Sequence, residues 1–99
     1  MKQVVFDKEA EAEMRAAIAY YNSQRAGLGD EFSTAVEQAV GAIVQSPKAF
    51  SPHGSEGLRK FVMKRFPYYI FYLELDSGIW IAAVAHQRRR PGYWAHRKP

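Results

Sequence analysis

The stretch from Ile79 to Arg97, IWIAAVAHQRRRPGYWAHR, constrains this chain most, because it holds both the most apolar run and the densest positive charge. Ile79 to Ala85 are seven residues without a polar side chain, too few to cross a bilayer and suited to an inner strand of a sheet. The strand ends at His86. Arg88, Arg89 and Arg90 follow, and Pro91 and Gly92 then bend the chain. The sequence thus runs directly from a core element into a cationic, aromatic surface.

With 99 residues, 47% of them hydrophobic, the chain can build one core, and one domain spanning residues 1–99 is expected. Without cysteine there is no disulfide framework, thiolate metal site or thiol nucleophile. No signal segment is read at the start, so a cytoplasmic location is expected. Residues 1–58 carry five Lys or Arg against eight Asp or Glu, whereas residues 59–99 carry nine against two. The halves therefore sit near −3 and +7. The basic half suits nucleic acid or an acidic protein segment, with an attraction that weakens steeply with salt.

Residues 2–6, KQVVF, read as a short strand at or near a sheet edge. Asp7 is a cap for a helix over Lys8 to Gln24, with Glu9, Glu11 and Glu13 near its positive end and Ala10, Met14, Ala17, Ile18 and Tyr21 on its apolar face. Gly27 to Gly29 break that helix. A second follows, with the stripe Phe32, Val36, Ala39, Val40 and Ile43, and stops before Pro47. Lys48 to Gly57 read as a loop in which His53 is exposed and lacks a partner. From Leu58 the period changes to two, placing Lys60, Val62 and Lys64 on one face of a strand. A turn at Arg65–Pro67 leads to the strand Tyr68–Leu75, and Asp76–Gly78 make a hairpin into the apolar run. The expected fold is α+β, ordered β-α-α-β-β-β, with a helical hairpin on a mainly antiparallel four-stranded sheet.

In their order and spacing, five pieces of the chain resemble the RelE/ParE superfamily of type II toxin–antitoxin toxins, closest to its ParE-like plasmid-stabilisation branch. They are Ala19–Tyr21, Gly27–Phe32 (GLGDEF), Ser46 and Pro47, Arg65–Tyr72 (RFPYYIFY) and Ala83–Trp94 (AVAHQRRRPGYW). The resemblance implies a growth-arresting toxin neutralised by a separately encoded antitoxin, whose C-terminal segment folds across the helices and sheet. It also implies a hetero-oligomer with that antitoxin. Two targets are implied by the two branches: RelE-like members cut mRNA on the ribosome, whereas characterised ParE members inhibit DNA gyrase without being nucleases.

Metal-free RNA cleavage requires a base, an acid and cations at the phosphate. His86, Arg88, Arg89 and Tyr93 are the candidates for that chemistry, with His96 nearby and Lys64 and Arg65 arriving from a neighbouring strand. The same residue types serve binding equally well, so Lys64, Arg65, Arg88, Arg89, Arg90, Tyr93 and Trp94 are candidates for contact with a target or antitoxin. For His86 the competing role is a rim histidine bonded to backbone, and for Tyr93 and Trp94 it is covering the sheet. Many ribosome-dependent members carry an arginine in the third strand where this chain has Tyr69, which favours gyrase inhibition over mRNA cleavage. A non-toxic module binding nucleic acid or protein is the third reading. No cofactor is expected and no metal, since His86 and His96 would need carboxylates brought from elsewhere.

Overall fold

The computed structural model describes residues 3–54 and 56–99; Lys2, at the start of the expected first strand, lies outside them. The elements are β1 (Gln3–Phe6), α1 (Lys8–Gln24), α2 (Leu28–Gln45), β2 (Ser51–Pro52), β3 (Arg59–Val62), β4 (Tyr68–Leu75) and β5 (Gly78–His86). They form a sheet in the order β1-β5-β4-β3-β2, in which β1 runs parallel to β5 and every other neighbour is antiparallel. α1 has the expected bounds and α2 ends before Pro47 as expected, because these signals are local, but α2 begins at Leu28, inside the Gly27–Gly29 segment read as the break. The Asp7 side chain accepts from the Glu9 N–H at 2.8 Å, and Gly27, at φ 87°, supplies the left-handed residue before α2. The hairpin closes tightly at Gly29, where a Cβ would stand 2.1 Å from the Ile18 carbonyl oxygen. Only glycine permits that approach, and its N–H donates to Asn22 Oδ1 at 2.7 Å.

The sheet has five strands rather than four. Residues read as loop supply the two-residue β2, which is held on β3 by the His53 N–H donating to the Leu58 carbonyl and by the Arg59 guanidinium donating to the Phe50 carbonyl. Two residues are too few to show a period, and Pro52 is tolerated because β2 is the edge.

One face of the sheet packs on the helices, where Ile70, Tyr72, Ile79, Ile81 and Val84 meet Phe32, Val36 and Ile43. The other face carries Phe71, Trp80, Ala83 and Ala85 and is covered by Trp94, whose ring stacks on Phe71 at 3.9 Å. Burial on both faces accounts for the unbroken apolar run of β5. A bulge interrupts its pairing: Tyr72 faces Ile81 and Phe71 faces Ala83, so Ala82 has no opposite residue. The bulge switches the parity of β5, so Ile79 and Ile81 point to the helices before it and Val84 after it.

The bulge also marks the end of β1. Phe6 is the last β1 residue paired with β5, opposite Ile81, and the next backbone N–H, Asp7, donates to the Ile81 carbonyl at 2.9 Å. Beyond that point the edge of β5 is completed by side chains. Glu13 Oε1 accepts from the Val84 N–H at 3.1 Å, and Arg97 Nη1 donates to the Ala82 carbonyl at 2.9 Å. An acid from α1 and a base from the C-terminal tail thus stand where a neighbouring strand would otherwise satisfy the backbone. Among the described residues, no helix is long and apolar enough to cross a membrane.

Candidate functional site

The end of the sheet at the β3–β4 turn and the segment after β5 collect the expected cations. Tyr68 pairs with His86 in the last register position of β4 and β5, and the Gln87 N–H donates to the Pro67 carbonyl at 2.8 Å. Lys64 and Arg65 are thereby brought to the same end as Arg88, Arg89 and Arg90, and all five are exposed.

Their electrostatic states differ. Arg65 forms a close ion pair with Glu31, which also accepts from Arg25 at 3.2 Å; the hydrogen bond from Arg65 holds the Glu31 carboxyl below its ordinary pKa. Arg89 reaches Glu13 at 3.4 Å and lies 3.7 Å from the centre of the Tyr93 ring. Among the described residues, the side chains of Lys64, Arg88 and Arg90 have no carboxylate partner. The five cations therefore divide into two that brace the fold and three presented to solvent. On the adjoining strand, the Lys60 ammonium lies 4.6 Å over the ring of Tyr69 and places a cation at that position from a different strand.

His86 sits at the rim with its ring 5.1 Å from that of Tyr68. Its Nδ1 accepts the Arg88 N–H at 3.0 Å, so the neutral ring carries its proton on Nε2.

Trp94 lies over the sheet face and His96 stays exposed, whereas Tyr93 and Arg97 turn inward at the sheet edge. Glu13 gathers them: the Tyr93 hydroxyl donates to Oε2 at 2.5 Å, while Arg97 donates to Oε1 and Oε2 at 3.0 Å each. Glu9 takes the Arg97 Nε–H at 2.9 Å and contacts His96 Nε2 at 3.0 Å. The Arg97 side chain is only 6% exposed and that of Glu13 13%, so this pairing is shielded from solvent in a way that Arg65–Glu31 is not. Burial works against the Arg97 charge, but the hydrogen bonds and charge of Glu13 outweigh it and raise its pKa. The hydrogen bond from His96 lowers the Glu9 pKa.

Burial, followed by the hydrogen bond to Glu13, pushes the Tyr93 phenol far above its ordinary value. A phenol that keeps its proton when folded stabilises the fold fully below its unfolded pKa of about 10, and that stabilisation is lost as pH rises above it. Thermal melts of the natural chain should therefore fall more steeply above pH ~10 than those of Tyr93→Phe. Equal slopes would mean that the hydroxyl is not held by Glu13.

Glu9, Glu13 and Arg97 were not among the sequence-derived site residues, although Glu13 carried a signal. It lies three residues after Ala10 and four before Ala17, both buried, so a carboxylate there must find a partner. His53 is half-buried rather than free, with its ring 5.0 Å from Phe71 and 5.8 Å from Trp94. Among the described residues, no group of three or more His, Asp or Glu side chains is placed to hold a metal ion.

Two solved structures share the fold at low identity. One, from the chromosomal ParDE toxin–antitoxin system of P. aeruginosa, has a TM-score of 0.66 and 19% identity over 87% of this chain and 96% of the other. The second is the isolated E. coli RelE toxin, with a TM-score of 0.67 and 18% identity over 94% of this chain and 92% of the other. No curated protein matches the chain. The family model for the ParE toxin of the type II toxin–antitoxin system parDE matches residues 4–91, and the chain belongs to that toxin family.

Proposed function

We propose that this toxin acts by binding, and that it inhibits DNA gyrase through the end of the sheet bearing Lys64, Arg88 and Arg90. The observation that carries this reading is the state of Glu13, which engages the Tyr93 hydroxyl and the guanidinium groups of Arg89 and Arg97 at once. Of the groups that could supply acid and phosphate stabilisation for RNA cleavage, Tyr93 and Arg89 are thus occupied in holding the tail to α1, whereas Lys64 and Arg88 have no carboxylate partner among the described residues. His86 has its Nδ1 lone pair committed to backbone. The three unpaired cations suit long-range attraction and docking to an acidic protein surface, which requires no proton transfer.

Purified protein added to gyrase, ATP and relaxed plasmid should block supercoiling or accumulate cleaved DNA. The Arg88→Ala/Arg90→Ala variant should melt like the natural chain and lose roughly tenfold in potency, with a larger loss at low salt. Unaffected gyrase, together with cuts in the mRNA of translating ribosomes, would replace this reading with a ribosome-dependent nuclease.

A further inference from the structure

The sheet face turned away from the helices borders a recess of about 530 Å³, within the ~300–1,000 Å³ usual for a small-molecule site. Leu58, Leu73 and Ala82 supply apolar lining, and the rings of His53, Trp80 and Trp94 border the same space. Trp80 is 5% exposed and Trp94 7%, yet neither indole N–H has an acceptor among the described residues. Neither donor is sealed off, since no buried side-chain nitrogen or oxygen among those residues lacks a partner. Two largely buried donors thus open to accessible space without an acceptor, which is unusual for tryptophan. Two charges border the recess from different segments: Glu56 lies between β2 and β3, and Lys98 lies in the tail after β5. Both are exposed, and among the described residues neither has an ion-pair partner.

We propose that this recess binds a free aromatic α-amino acid. The ring lies against Trp80 and Trp94, the carboxylate accepts from Lys98 and the indole N–H donors, and the ammonium reaches Glu56. An aromatic acid without the ammonium would bring its carboxylate into a mouth that also holds Glu56, with nothing to offset the repulsion. An aromatic amine without the carboxylate would leave the indole donors unsatisfied. The two unpaired charges together with the two donors therefore select the zwitterion. Bound there, the ligand ties the segment between β2 and β3 to the tail, so occupancy should raise the melting temperature. The proposal does not rest on the gyrase reading, because Lys64, Arg88 and Arg90 do not line the recess.

The test is a titration of the nitrogen-15-labelled full chain with L-tryptophan, followed by NMR. The sequence contains two tryptophans, so two indole N–H signals report on the recess directly. Both should move, together with the backbone amides of Leu58 and Lys98. Tryptamine, indole-3-propionate and L-alanine, which lack the carboxylate, the ammonium and the ring respectively, should each bind at least about tenfold more weakly. Glu56→Gln and Lys98→Gln change exposed side chains, so both should melt like the natural chain and lose about tenfold in affinity for L-tryptophan. Each should also erase one preference: Glu56→Gln that over indole-3-propionate, and Lys98→Gln that over tryptamine. Ala95→Trp, at an exposed position lining the recess, should fill it and abolish binding while the native amide spectrum is kept. Unmoved indole signals at ~10 mM L-tryptophan, equal affinity for the three indole ligands, or unchanged affinity in both charge variants would overturn the proposal. So would equal binding of N-acetyl-tryptophanamide, which would assign the recess to a side chain of a protein partner.

Discussion

Glu13→Ala should lower the unfolding free energy by about 3–5 kcal/mol, the usual consequence of removing one member of a shielded ion pair. Domains of this size have ~5–15 kcal/mol in all, so the melting temperature should fall by tens of degrees. Two losses combine. Arg97 keeps its charge at a position only 6% exposed with the more exposed Glu9 as its remaining carboxylate, and the Val84 N–H loses its acceptor on the unpaired stretch of β5. Adding Arg97→Met should restore much of the stability, because an apolar pair in place of a buried ion pair is often neutral. Arg97 also donates to the Ala82 carbonyl, so recovery should stop short of the natural value. Urea melts of the two single variants and the double variant measure the coupling. A single-variant cost below about 1 kcal/mol would place Glu13 with ordinary surface pairs.

The Glu13 cluster also marks the limit of what the sequence could disclose. Asp7, Gly27 and Pro47 fixed the helix limits because caps and breakers act within a few residues. The collection of Lys64, Arg65 and the three arginines at one end was legible too, since a meander with short turns brings its alternate turns together. Which of those cations are free was not. Arg97 and Glu13 lie 84 positions apart, and in the sequence the first reads as tail charge and the second as helix-dipole decoration. The parity switch at Ala82 was equally hidden, because a strand that is apolar on both faces shows no alternation to interrupt. β2 was too short to register. Tyr93 and Trp94 were open to either covering or binding roles; the stacking of Trp94 on Phe71 and the hydrogen bond of Tyr93 to Glu13 are set by surfaces that assemble only on folding.

Val84→Asp should abolish the native fold. Val84 is 1% exposed, faces the helices just beyond the bulge, and packs in the cluster that contains Ile81, Ile70 and Phe32. A carboxylate there would lose its hydration next to Glu13, whose nearby cations already have acceptors: Arg97 binds Glu13, Glu9 and the Ala82 carbonyl. Burial of an unpaired charge belongs to the class of substitutions costing more than about 4–5 kcal/mol, comparable with the whole stability of a small domain. Arg90→Ala is the appropriate reference, because its exposed side chain has no ion-pair partner among the described residues and its removal should change stability by no more than about 0.5 kcal/mol. Near-ultraviolet circular dichroism and amide dispersion should therefore be lost in Val84→Asp and kept in Arg90→Ala. Retention of native signals by Val84→Asp would mean that the residue does not face the helices, and the bulge at Ala82 that turns it inward would have to be abandoned.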